Sequence, residues 1–139
     1  MKFYDREKEQ EILQRNWEKS EKKSIFTVMM GRRRIGKTAL LLRTQNKQRM
    51  LYLYVSKDNE HVLVEKFQRM AAESIGLQIY GRMETFAQFF EALMQYGCDN
   101  HFTLVLDEFQ NLLKVNPAIP SHIQDIWDRY HNSTHVNLI

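Results

Sequence analysis

The sequence is poor in cysteine, nearly balanced in charge and without a long apolar run. Cys98 is the one cysteine among 139 residues. That excludes an internal disulfide and a cysteine metal cluster, and leaves a buried or idle thiol. No window is apolar over the length a bilayer demands, so no membrane partner is expected. The opening "MKFYDREKEQ" is charged throughout and lacks the apolar core of a secretory signal, which makes the cytoplasm the expected compartment. The formal net charge is +3. No basic stripe with interleaved aromatics accompanies it, so nucleic-acid binding is not expected of these residues themselves. His61, His101, His122, His131 and His135 show no metal-ligand spacing. His131 and His135 stand close together, but "HNSTH" reads as straddling a loop. There is no internal repeat and no low-complexity linker.

What the sequence does have is alternation of strand-like and helix-like stretches. Residues 5–19 read as a charged helix with a narrow apolar stripe at Ile12, Leu13 and Trp17. "SIFTVMM" (24–30) reads as a buried strand, 37–48 as a helix, and "RMLYLYVS" (49–56) as a second strand. Apolar positions 62, 63, 67, 70 and 71 predict a helix over 59–75 that stops at Gly76, and 84–96 predicts another that stops at Gly97. "HFTLVLDE" (101–108) reads as a third strand, 120–131 as a helix, and "THVNLI" as the start of a fourth strand. Such alternation implies βαβ units: an α/β fold with a mainly parallel sheet between helical layers. Tyr52, Tyr54, Phe67, Phe86, Phe89 and Phe90 fall at core spacing and are expected to pack rather than to stack on bases. The sequence stops in what reads as the middle of a strand. The chain is therefore expected to be the N-terminal part of a longer domain, with an unfilled sheet edge that favours self-association.

Between the first strand and the helix after it lies Gly31-Arg32-Arg33-Arg34-Ile35-Gly36-Lys37-Thr38, which meets G-x-x-x-x-G-K-[ST] at every specified position. Each residue type has a chemical reason. The glycines let the backbone curl so that its amides form a nest for phosphate oxygens. A helix beginning at Lys37 adds its positive N-terminal end. Lys37 is placed to reach β- and γ-phosphates, and the Thr38 hydroxyl to ligate Mg2+. The expected phosphate-binding set is Gly31, Arg34, Ile35, Gly36, Lys37, Thr38 and Ala39. The competing reading is a basic surface loop, but the apolar strand before it and "TALLL" after it favour the nest.

"FTLVLDEF" supplies the second half of such a site. Asp107 and Glu108 follow an apolar strand, whose end in a parallel sheet faces the same crevice as the glycine turn. Asp107 is expected to hold Mg2+ with Thr38, and Glu108 to polarise a water for in-line attack on the γ-phosphate. The alternative is that the two acids only start the next helix. A small-molecule kinase would need an acceptor pocket, which nothing marks. "NKQR" at 46–49 lacks the aspartate of a guanine-reading N-K-x-D stretch, so adenine is the expected base.

Four stretches together resemble the archaeal-type ATPase family, a prokaryotic group among the AAA+-related, STAND-like P-loop ATPases. They are "FYDREKEQEIL", "GRRRIGKTALL", "LVLDEFQNLL" and "IQDIWDRYHNSTHVNLI", and they cover nearly the whole sequence. The resemblance implies a three-layer αβα P-loop NTPase core of the ASCE type with strand order 5-1-4-3-2. It also implies ATP or ADP with Mg2+ as ligands, Lys37 and Glu108 as catalytic residues, and Thr38 and Asp107 at the metal. Later elements of the family, namely a fifth strand, an arginine finger and winged-helix or nuclease-like domains, fall outside residues 1–139. The implied function is an ATPase module coupling nucleotide state to further domains. The alternatives are a nucleotide-held switch or scaffold with little turnover, and a regulator that meets nucleic acid through a further domain.

Overall fold

The computed structural model describes residues 11–12, 14–26, 49–81 and 83–138. Four parallel strands form one sheet: β1 (Ile25–Phe26), β2 (Met50–Tyr54), β3 (His101–Asp107) and β4 (His135–Leu138), in the order β1-β4-β3-β2. Among the described residues α1 (Glu60–Ile75), α2 (Phe86–Tyr96), α3 (Gln110–Val115) and α4 (Ile119–Tyr130) accompany them. Residues 14–19 are also helical. The described strands thus follow 1-4-3-2 of the expected order. The helix expected over 37–48 and most of the first strand lie outside the described residues.

Helix boundaries follow local chemistry. Asn59 caps α1 by accepting from the Val62 amide at 3.2 Å, and Gly76 ends the helix at φ 76, a conformation open to glycine. Thr85 and Gln88 form a capping box, which moves the start of α2 from the expected Glu84 to Phe86. Pro120 stands in the first turn of α4, where a missing N–H costs nothing. At Gly97 the reason for glycine is space. A Cβ there would lie 2.5 Å from Val136 Cγ2, so the turn after α2 closes directly onto β4.

Strand register decides which side chains meet the core. Leu51 pairs with Leu104 and Leu53 with Leu106, while Phe102 pairs with Val136 and Leu104 with Leu138. Because strand side chains alternate between faces, these residues share one face. They pack there with Phe67, Phe86, Phe89 and Phe90, all fully buried. Each such phenylalanine contributes about 1.5–3 kcal/mol by leaving water. Tyr52 pairs with Val105 and Tyr54 with Asp107, which puts both tyrosines on the opposite face. The expectation that Tyr52 and Tyr54 pack in the core is therefore corrected. Tyr54 is exposed, and Tyr52 is half-buried with its hydroxyl turned to a carboxylate. Period-two alternation, not the residue type, sends them there. The short helix α3 was not anticipated either.

No helix among the described residues is long and apolar enough to cross a membrane.

Candidate functional site at the carboxyl edge of the sheet

Asp107 is the last residue of β3 and is 8% exposed. A carboxylate this enclosed needs donors. The Tyr52 hydroxyl on β2 supplies one, to Asp107 Oδ2. The backbone of Asp107 is fixed as well: its carbonyl accepts from the Val55 amide at 2.9 Å, one step beyond the end of β2.

Glu108 follows at φ 59, and among the described residues it is the non-glycine residue in the left-handed region. That conformation costs an ordinary residue of order 1 kcal/mol or more and persists only where its surroundings impose it. Three contacts impose it here. The Glu108 carbonyl accepts from the Asn111 amide at 3.0 Å, starting the turn into α3. Asn111 Nδ2 donates to the Val55 carbonyl at 2.8 Å in a buried position, tying the same turn to the end of β2. Phe109, between them, sets its ring edge-on to Phe86 at 6.3 Å. The chain therefore turns at Glu108 and Phe109 into the helix that starts at Gln110. Gln110 Nε2 donates to its Oε2 at 2.6 Å.

The position immediately before α3 belongs to Phe109, which makes no side-chain capping hydrogen bond. The two acids stand one and two residues further back, so the reading of Asp107 and Glu108 as helix starters finds no such cap at that position. Of the residues expected in the site, Asp107 and Glu108 are thus neighbours at the carboxyl edge of a central strand. Gly31, Arg34, Ile35, Gly36, Lys37, Thr38 and Ala39 lie outside the described residues. From sequence Tyr52 is expected only to pack, and Asn111 and Gln110 are not singled out. Tyr52 and Asn111 act across 55 and 56 positions respectively, which no local pattern reveals.

The oxygens at this edge that could meet a metal are carboxylates, hard donors that suit magnesium rather than a soft metal, while the Tyr52 phenol donates to one of them. Among the described residues no group of three or more His, Cys, Asp or Glu side chains is arranged to hold a metal without further ligands.

A parallel sheet of this order, flanked by helices and carrying an acidic pair where β3 ends, defines a P-loop NTPase-like core. The chain belongs to the AAA domain family, which matches residues 22–137. It is also 34% identical over 139 residues to an uncharacterized protein of Methanocaldococcus jannaschii. That match covers 99% of this chain and 28% of the relative, so the chain spans little more than a quarter of the relative's length. No solved structure matches it significantly.

Proposed function

We propose that the chain is an ATP-binding, ATP-hydrolysing module whose nucleotide state is coupled to further domains. The observation that carries this reading is the acidic pair Asp107–Glu108 at the carboxyl end of β3, in a sheet where β1 runs parallel to β3. In sequence the motif Gly31–Thr38 follows β1. In open parallel sheets ligands sit beyond the carboxyl ends of the strands.

The roles follow from residue chemistry. Gly31 and Arg34 to Ala39 would form the phosphate cradle, and Lys37 would meet the β- and γ-phosphates. Thr38 and Asp107 hold Mg2+, which when bound neutralises charge on the phosphate oxygens. Glu108 takes a proton from water as the water oxygen bonds the γ-phosphorus and the bridging P–O bond to ADP breaks.

The reading as a nucleotide-held switch draws on one contact. Glu108 Oε2 accepts from Gln110 Nε2 at 2.6 Å, a hydrogen bond that stabilises the carboxylate and makes it a weaker base toward water, which favours slow turnover.

Calorimetric titration with Mg-ATP and Mg-GTP, beside Lys37→Ala, tests the binding. ATP is expected to bind in preference to GTP, and Lys37→Ala to weaken binding by about 10- to 100-fold, the value of a charge-assisted phosphate contact. Unchanged affinity in Lys37→Ala would remove the cradle. Glu108→Gln is expected to keep ATP affinity and abolish hydrolysis. Equal loss of affinity and turnover would make Glu108 structural instead.

A further inference from the structure

The bond from Tyr52 to Asp107 serves neither the core nor the hydrolytic step. Tyr52 lies on β2, outside both phosphate-binding and acidic motifs. The register pairs it with Val105, two residues before Asp107. Its side chain thus shares the face of Asp107 and stands one pair earlier along the sheet. The length of a tyrosine spans that diagonal, and its O–H ends on Asp107 Oδ2. Here the phenol reaches past Val105 to a carboxylate that is 8% exposed.

The consequence is directional. The carboxylate of an aspartate rotates about two torsions, and its value to a hydrated metal depends on which lone pairs face the ion. A donor fixed on a neighbouring strand selects one rotamer before any ligand arrives. The Val55–Asp107 backbone bond at 2.9 Å keeps the two strands in that register up to the last residue of β3. We propose that Tyr52 is a positioning residue for the Mg2+-nucleotide complex, holding Asp107 in the orientation that meets the metal's water shell. β2 thereby sets Mg2+ affinity although it carries no part of either motif. This role rests on the ATP reading above.

The test compares ATP affinity in EDTA and in saturating Mg2+, by calorimetry, for the unaltered protein, Tyr52→Phe, Asp107→Asn and the double variant. Tyr52→Phe is expected to keep the EDTA affinity within about twofold while reducing the Mg2+-dependent gain about tenfold, as loss of outer-shell partners of metal ligands does. In the Asp107→Asn background it should add nothing, because both changes break the same link. Three results would overturn the role: an undiminished Mg2+ gain in Tyr52→Phe, an equal loss with and without Mg2+, or full additivity with Asp107→Asn. If the unaltered protein binds no ATP in either condition, the nucleotide reading falls and the Tyr52 role falls with it. Should Tyr52→Phe not fold, tyrosine ring-carbon NMR of the unaltered protein decides. The Tyr52 Cζ resonance should move on adding Mg-ATP and not on adding ATP in EDTA. An unmoved resonance overturns the role.

Discussion

Asn111 Nδ2 donates to the Val55 carbonyl at 2.8 Å, joining the turn after β3 to the end of β2 across 56 positions of sequence. The bond is buried, and Asn111 is 7% exposed. The backbone amide of the same residue bonds the Glu108 carbonyl at 3.0 Å. One residue thus holds Glu108 from behind with its main chain and anchors the turn with its side chain. Replacing it by alanine leaves the Val55 carbonyl buried without that donor. Asn111→Ala is expected to cost about 1–3 kcal/mol, read as a lower urea midpoint with unchanged slope. Asn111→Asp should cost at least as much, since a carboxylate presents no donor to the carbonyl. A variant as stable as the unaltered protein would show that water replaces the bond.

Glu108 carries backbone strain that its neighbours accept. At φ 59 glycine is at ease, glutamate is not, and a β-branched residue is worse. Glu108→Gly gains the relief of that strain and loses about as much to the freer unfolded chain. It is expected to stay within about 1 kcal/mol of the unaltered protein, while Glu108→Val loses about 1–2 kcal/mol. Chemical denaturation of the pair checks this. A glycine variant destabilised more than the valine variant would mean that the entropy of the freer unfolded chain outweighs the relief of strain at φ 59.

Much of this architecture is legible in the sequence because it rests on local rules. The apolar spacing of Val62, Leu63, Phe67, Met70 and Ala71 gives α1, and Asn59 and Gly76 mark its ends. Phe102 to Leu106 read as a strand because four of its five residues are apolar, as in a strand buried on both faces. Two acids directly after such a run point to the carboxyl edge before any coordinates are known. What stayed hidden is of two kinds. α3 has six residues, too few for a 3.6-residue period to show. Tyr52 and Asn111 gain their roles only when β2 and β3 lie in register. Even the misplacement of Tyr54 is instructive. "MLYLY" alternates perfectly, yet alternation alone does not say which set of side chains faces the helices.

At the opposite edge of the sheet His101 opens β3 beside His135, which opens β4, the two being register partners. Trp17 stacks on the His101 ring, with centroids 3.6 Å apart and planes at 17°. Ser20 Oγ lies 2.6 Å from His101 Nε2 and also donates to the Trp17 carbonyl at 2.6 Å. Burial lowers the His101 pKa below its ordinary 6.5, and His135 pushes the same way. Glu21 and the hydrogen bond with the Trp17 backbone oppose the shift without cancelling it. The sign follows from proton counting. With the folded pKa below the unfolded one, the unfolded chain binds more protons in the interval between them. Stability is therefore intact above about pH 6.5 and falls as the pH drops through that value toward the folded pKa. Thermal melts from pH 7.5 down to 5.5 should show a falling midpoint, and His101→Gln should flatten that slope because glutamine does not titrate. Trp17 fluorescence offers an independent reading, since loss of the stack changes the surroundings of its ring in the same pH interval. An equal slope in His101→Gln would assign the pH dependence to other groups and leave the His101–Trp17 stack a purely structural contact.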